Sequence, residues 1–494
     1  MKKKDRAPKY LPTKKNYVLP TKGISDQILY EQISSYKQQD ESRWKDGQVS
    51  GGIYHGGEEH LALQNHALSM FSISNPLHGD VWPSIVKMEA EIISMTANLV
   101  NGGDLNVCGA ITSGGTESII MSVKAHRAWA EAQGIVEPEI IGCFSSHAGL
   151  DKACDMLKVK LIKVSFDLDT CEMLVKEVAK HITRNTIMVY SSAPNYPHGI
   201  IDPIKELSDL VMKQPFNRPI GLHVDCCLGG FFLPFARKLR DNIPPFDFAL
   251  PGVTAMSCDT HKYGYAAKGT SVVLYRDSAL RNYQFFAYPK WTGGMYVTPT
   301  TAGSRPGALS AACWCSMMRL GEAGYLDATE RILCTTEKIA DGIRNSPGLF
   351  VLGSPKAMIV AFGSKDFNIY AFSDEMSKRG FGMSPCQSPP CVHLCVTLRH
   401  CNVVDEIIFA LQNVAKQMLA NPNIGKDANV AVYGASSSSS SNSSSRKNDD
   451  KNRSSLSNQD PRTSGMLRYM SKTLDMPYDQ QYRPKPKKTK KSKL

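Results

Sequence analysis

The chain has 494 residues, 42% hydrophobic and 21% charged, enough for two or three domains around a large core. Nothing in it reads as a repeat array, a collagen period, a coiled coil, a membrane-spanning run or a secretory signal. Its formal charge of +12 is uneven: residues 1–22 and 446–494 carry +16 between them, and the other 423 residues carry −4. The basic excess therefore belongs to two arms. That argues against a nucleic-acid-binding fold and leaves two readings of the arms: solvated chain, or reversible contact with anionic lipid. The 14 cysteines include no paired C-x-x-C, so reduced, buried thiols are expected rather than a zinc site or disulfides.

In chain order, residues 1–22 read as a flexible arm with three prolines. Ser84–Val100 has Ile85, Met88, Ile92, Met95 and Leu99 at helical spacing, which predicts an amphipathic helix. Four short apolar runs then predict buried strands: Glu139–Phe144, Lys160–Ser165, Thr186–Ser191 and Ile220–Cys226. Helical spacing in Cys171–His181 and Pro203–Lys213 separates some of them. Such alternation predicts an α/β fold with a mainly parallel sheet and helices on both faces. From about residue 320 the pattern becomes a smaller α+β unit. It has a helix over 322–346, strands near Leu349–Leu352, Met358–Phe362 and Val392–Leu398, and helices near 367–379 and 403–420. Residues 436–445, nine serines and one asparagine, are too polar to bury, and the tail beyond is lysine-rich.

Four segments carry candidate chemistry. Thr112-Ser113-Gly114-Gly115-Thr116 precedes an expected helix, so its N–H groups and the Thr116 hydroxyl can cup an anion, although a Gly-Gly turn before a helix is common. His147 follows an expected strand and can lie flat on a planar cofactor, or simply cap the next helix. Asp225 ends another strand; it can pair with a protonated heterocyclic nitrogen or cap the next helix. Lys262, in Asp259-Thr260-His261-Lys262-Tyr263-Gly264, can become an amine nucleophile if desolvation strips its proton, or can be an ordinary loop lysine. Together the four make a pyridoxal phosphate site.

At these residues the sequence resembles the group II pyridoxal-phosphate-dependent decarboxylase family, and in it the branch that cleaves phosphorylated long-chain bases. The matching runs are VSGGIY (49–54), SNPLH (74–78), TSGGTES (112–118), HVDCCLGGF (223–231), DTHKYGY (259–265) and AGSRPG (302–307), and the likeness extends from about Val49 to about Tyr433. The resemblance implies a fold-type-I, aminotransferase-like homodimer with sites at the subunit interface. It divides the chain into a basic arm (1–22), an N-terminal segment contributing to the site (23–83), a large cofactor domain (84–319), a small C-terminal domain (320–434) and a disordered tail (435–494). It implies that Lys262 carries pyridoxal 5'-phosphate as a Schiff base, that Asp225 pairs with the ring nitrogen and that His147 stacks on the ring. Gly114, Gly115 and Thr116 would hold the cofactor phosphate, with His261 and with Ser304 of the second subunit. Tyr54, His78 and Lys268 would bind the substrate phosphate.

The implied reaction is a carbon–carbon lyase step of sphingolipid catabolism, a retro-aldol cleavage to a long-chain aldehyde and phosphoethanolamine. Lys262, Tyr54 and His78 are its alternative proton carriers. No metal is implied. Animal and fungal members carry a membrane anchor that this sequence does not show. Its basic arms would then make any membrane contact peripheral. Ser492-Lys493-Leu494 matches a peroxisomal import address, against the family's endoplasmic-reticulum location, with cytosol third. The competing function is an amino-acid decarboxylase, for which Arg399 is the candidate carboxylate clamp. A non-catalytic binding protein is a third reading, opposed by the intact lysine, aspartate, histidine and glycine set.

Overall fold

The computed structural model describes residues 19–41, 44, 47–216, 218–421 and 423–429. Most of the first arm, the serine run, the lysine-rich tail and Ser492-Lys493-Leu494 lie outside the described residues. Helix α1 (Asp26–Glu41) buries none of its side chains and carries i,i+4 pairs such as Gln27–Glu31 and Lys37–Glu41. From Trp44 onward the described chain belongs to a separate compact unit.

That unit begins with α2 (Glu58–Met70) and α3 (Pro83–Leu99). Helix α3 is the helix expected over 84–100. Proline in its first turn costs no hydrogen bond, and its Ile85–Ile92 stripe is fully buried with Met95 and Leu99 packed beside it. The alternating region follows: β1 (Cys108–Thr112), α4 (Gly115–Glu131), β2 (Glu139–Cys143), α5 (Gly149–Leu157), β3 (Lys160–Val164), α6 (Val175–His181), β4 (Thr186–Ser192), α7 (Ile204–Met212), β5 (Gly221–Asp225), α8 (Leu233–Leu239), β6 (Ala255–Cys258) and β7 (Ser271–Tyr275). These strands form one seven-stranded sheet in the order β1-β7-β6-β5-β4-β2-β3, in which only β7 runs against the rest. The four expected strands are present within a residue or two of their ends.

Strands β1, β6 and β7 were not foreseen one by one. The first two, CGAIT and AMSC, are short and built of small residues, so pairing rather than propensity makes them strands. The helix expected from Cys171 starts only at Val175. Asp167 accepts the N–H groups of Asp169 and Thr170, and Phe166 bridges to Met173, so the intervening chain is a turn.

After α9 (Ser278–Asn282) a small hairpin, β8 (Phe286–Tyr288) and β9 (Tyr296–Thr298), leads to α10 (Gly307–Arg344). Helix α10 is two helices joined at Gly321, whose φ of 54° only glycine adopts without strain. Its second half is the helix expected over 322–346. The C-terminal part adds β10 (Leu349–Val351), β11 (Ile359–Ser364), α11 (Ile369–Lys378), β12 (Ser384–Cys386), β13 (Cys391–Cys395) and α12 (Val404–Ala420), with an antiparallel sheet in the order β10-β11-β13-β12. One hydrophobic cluster runs without a break from Val224 and Met256 of the large sheet to Val360 and Val392 of the small one. All fourteen cysteines are free thiols and most are buried, as expected for reduced cysteines used as small hydrophobes.

Candidate active site

The C-terminal ends of parallel strands point to one edge of a sheet, and a ligand crevice opens there in folds of this kind. Here β1 leads into the Ser113–Thr116 turn, β2 into His147, β4 into Ser192, β5 into Asp225, and β6 into Asp259 and Lys262. Between them lies a solvent-open cavity, about 430 Å³ with the solvent space at its opening, lined by Tyr54, His147, Asp225 and Lys262, with Ser192, Pro194, Tyr196, Cys227 and Leu228. Four residues separated by up to 208 positions in sequence thus share one small space.

Asp225 is buried and ionised. Tyr190 donates to its Oδ2 at 2.6 Å; the Cys227 N–H and the Ser257 hydroxyl donate to its Oδ1 at 3.0 and 3.2 Å. Burial alone would raise its pKa. The positive influence of His147 and these donors outweigh burial and hold it below the ordinary carboxylate value. Asp225 caps no helix, since α8 starts only at Leu233; it holds the turn after β5 through the Cys227 N–H and lines the cavity. His147 shows the same double use: its Nδ1 accepts the Gly149 N–H at 2.9 Å at the start of α5, leaving Nε2 to carry the proton of the neutral ring. Burial lowers its pKa more than Asp225 raises it, so the imidazole is neutral near pH 7.

Lys262 is held by a carboxylate. Burial works to strip its proton, but Asp259 Oδ2 stands 2.9 Å from Nζ and outweighs burial, so the pKa is raised and the side chain is an ammonium. His261 shares the same carboxylate oxygen at 3.5 Å, while its Nδ1 accepts the N–H groups of Gly269 and Thr270.

The Gly114-Gly115 pair opens α4, where N–H groups have no intrahelical acceptor. A Cβ on Gly115 would stand 2.6 Å from the Cys227 sulfur and 2.8 Å from Asp259 Oδ1, so only glycine fits there; one on Gly114 would stand 3.2 Å from His261. Gly114, Gly115, His261 and Lys262 therefore meet, with Thr116 in the first turn of α4. The turn is held from behind by Glu117, whose carboxylate accepts the Ser113 N–H at 2.6 Å, the Thr301 N–H at 3.1 Å and the Thr301 hydroxyl.

Lys268 is exposed along its length, yet its ammonium donates to the His261 carbonyl at 3.3 Å and lies 4.5 Å from the centroid of the Tyr54 ring. Desolvation and the nearby Lys262 lower its pKa to about 8. Tyr54 itself packs edge-on to Tyr263, with ring centroids 4.8 Å apart.

Two candidates do not reach this cavity within the chain. His78 and Ser304 are exposed and belong to one polar latch: Asn75 donates to Ser304 at 3.1 Å and accepts from the Arg305 N–H at 3.1 Å, and Arg305 grips Glu89 through two 2.8 Å bonds. Arg399 packs its stem beside Gly56 and does not line the cavity either. The residues that sequence reasoning missed are Tyr190, Glu117 and the cavity wall at Ser192, Tyr196 and Cys227. Asp259 was quoted in a motif without a role, although its place three residues before Lys262 was a usable signal.

Comparison with known proteins bears on this geometry. Residues 8–365 match the family described as pyridoxal-dependent decarboxylase conserved domain. The sphingosine-1-phosphate lyase of Arabidopsis thaliana is 46% identical over 430 residues, covering 85% of this chain and 78% of its own length. Sphingosine-1-phosphate lyase 1 of Rattus norvegicus is 40% identical over 461 residues, covering 92% and 80%. Among solved structures, sphingosine-1-phosphate lyase of Burkholderia pseudomallei superposes with a TM-score of 0.80 at 36% identity, over 82% of this chain and 94% of its own. Glutamate decarboxylase of Lactobacillus brevis, at 19% identity and a TM-score of 0.71 over 84% and 96%, shares the fold.

Proposed function

The chain belongs to the pyridoxal-dependent decarboxylase family and, within it, to the sphingosine-1-phosphate lyases, and from that premise we propose how its residues cleave a phosphorylated sphingoid base to a long-chain aldehyde and phosphoethanolamine. The family's cofactor is pyridoxal phosphate, and the cavity fits it. N–H groups at the start of α4 suit a phosphate, the ionised Asp225 suits a protonated ring nitrogen, the neutral His147 imidazole suits a ring face, and Lys262 is a primary amine in the same space. Gly114, Gly115, Thr116 and His261 would hold the phosphate. Bound there, the cofactor supplies an electron sink for the carbon–carbon cleavage.

The chain's own residues do the rest. Asp225 stays charged because three donors favour its anion, so a proton on a facing nitrogen is stabilised. Lys268 at the cavity rim offers a cation to the substrate phosphate, steered by the Tyr54 ring beneath it. Tyr54 and Lys262 are the proton carriers this chain places in the cavity; His78 and Ser304 would act in the site of a second copy, as the homodimer reading requires. The observation that carries the proposal is the convergence of Lys262, Asp225, His147 and Tyr54 on one cavity, with Lys268 against the Tyr54 ring. Incubating the protein and pyridoxal phosphate with sphingosine 1-phosphate should yield a long-chain aldehyde and phosphoethanolamine in equal amounts. Carbon dioxide release from amino acids instead would favour the decarboxylase reading.

The arms are assigned to reversible contact with anionic membrane where the substrate resides, and Ser492-Lys493-Leu494 to a peroxisomal receptor rather than residence at the endoplasmic reticulum or in the cytosol. No helix among the described residues is long and apolar enough to cross a membrane. Vesicle pelleting that is unchanged without residues 1–22 and 446–494 would remove the first assignment. A tagged chain that keeps its location without Leu494 would remove the second.

A further inference from the structure

Asp259 sits at the meeting point of three elements. Its Oδ2 contacts Lys262 Nζ at 2.9 Å and faces His261 Nε2 at 3.5 Å. Its Oδ1 is buried without a hydrogen-bond partner and lies 2.8 Å from where a Cβ of Gly115 would stand, against the first turn of α4. A carboxylate with 1% of its side chain exposed and one oxygen unsatisfied is costly unless a full charge answers it, and Lys262 is that charge. The other titratable groups around Lys262 are Tyr54, His147, Asp225, Cys227, Lys268 and Cys395. Burial keeps both thiols protonated, and Asp259 is the carboxylate in ion-pair contact with Nζ.

We propose that Asp259 is a positioning residue that controls cofactor capture: it pins Lys262 as an ammonium against the cavity wall, so the lysine must lose a proton before it can bond to the cofactor aldehyde. The inference rests on the reading of Lys262 as the cofactor lysine. The step balances simply. The ammonium gives one proton to solvent, the freed nitrogen lone pair attacks the aldehyde carbon, the carbon–nitrogen double bond forms and one water leaves. Capture then draws on the small fraction of Lys262 that is neutral, and that fraction grows tenfold with each pH unit until the lysine has titrated. Without the Asp259 charge, burial and Lys268 favour the neutral amine, opposed only by the lesser influences of Cys227 and Tyr54.

The test strips the full-length protein of cofactor and follows the bound-cofactor absorbance after mixing with pyridoxal 5'-phosphate, between pH 6.5 and pH 9. The wild-type rate should climb about tenfold per pH unit, without a plateau. Asp259→Asn should capture at least about tenfold faster at pH 7 and level off at a lower pH. An unchanged pH profile in Asp259→Asn overturns the proposal. So does a wild-type rate that is flat above pH 7.5, a measurement that needs no variant to fold. Lys262→Ala serves as the control: if it still develops the bound-cofactor absorbance, the lysine assignment itself has failed, which is a different result from failure of the Asp259 role.

Discussion

The cavity wall and the latch edge of this molecule are built on opposite plans. The wall stands on the ends of five strands that the sheet holds in register, and its polar groups are buried and paired: Asp225 with three donors, Glu117 with three, Lys262 with Asp259. The edge, formed by the Asn75–Trp82 segment, the β8–β9 hairpin and the Ser304 loop, has an equally ordered polar frame in Asn75, Arg305 and Glu89. It leaves Phe286, Trp291, Val297 and Met295 exposed, Met295 by 88%. Contiguous exposed apolar side chains often mark interaction sites, and two expected site residues, His78 and Ser304, lie on this edge. The wall gathers its polar groups within one chain; the edge presents its apolar side chains outward.

The largest expected effect tests the wall. Lys262→Ala should lower turnover by about 10³-fold or more and abolish the bound-cofactor absorbance. It should also leave Asp259 charged at neutral pH with only His261 beside it, so its melting temperature should recover toward the wild type as pH falls and His261 or Asp259 takes up a proton. A variant that turns over normally ends the assignment.

Lys268 tests the rim between the two regions. Lys268→Ala should weaken kcat/KM for phosphorylated substrate by about ten- to a hundredfold while cofactor affinity stays within twofold or so. The pH dependence has a definite sign. A lysine whose pKa is lowered to about 8 carries its charge below that value and loses it above, so KM should rise as pH passes 8. Lys268→Arg should flatten that rise, because guanidinium does not titrate there. Equal losses of substrate and cofactor binding would take Lys268 out of its role.

The smallest effect tests the edge. Trp291→Ser should change the stability of an isolated chain by less than about 0.5 kcal/mol, since the side chain is already half exposed. If a second copy covers the hairpin, the same change should weaken dimerisation by about tenfold, read by sedimentation. A dimer of undiminished affinity would place its interface elsewhere.

Much of the wall was legible in the sequence because chemistry confined to short runs leaves local marks. Gly114-Gly115 precedes a helix, His147 and Asp225 follow apolar strands, and Lys262 sits in a polar turn between β6 and β7. What remained hidden were the supports. Tyr190 reads as one more residue of an apolar strand, and Glu117 as a surface residue of an amphipathic helix. Only strand pairing brings Tyr190 beside Asp225, and only the return of the chain at Thr301 gives Glu117 its donors. The Lys262 charge state was not legible for a related reason. Burial can be inferred from an apolar neighbourhood, whereas the 2.9 Å approach of Asp259 depends on the turn after β6.

By itself, then, the order of residues determined the alternating α/β framework, the family and the short list of groups able to do the chemistry, since periodicity and motif spacing are properties of the chain alone. The tertiary structure decided which of those groups share a cavity, which lie on the latch edge, and which carry charge. Those are questions of distance and dielectric between segments far apart in sequence, and Coulomb energy and desolvation depend on position in space rather than along the chain.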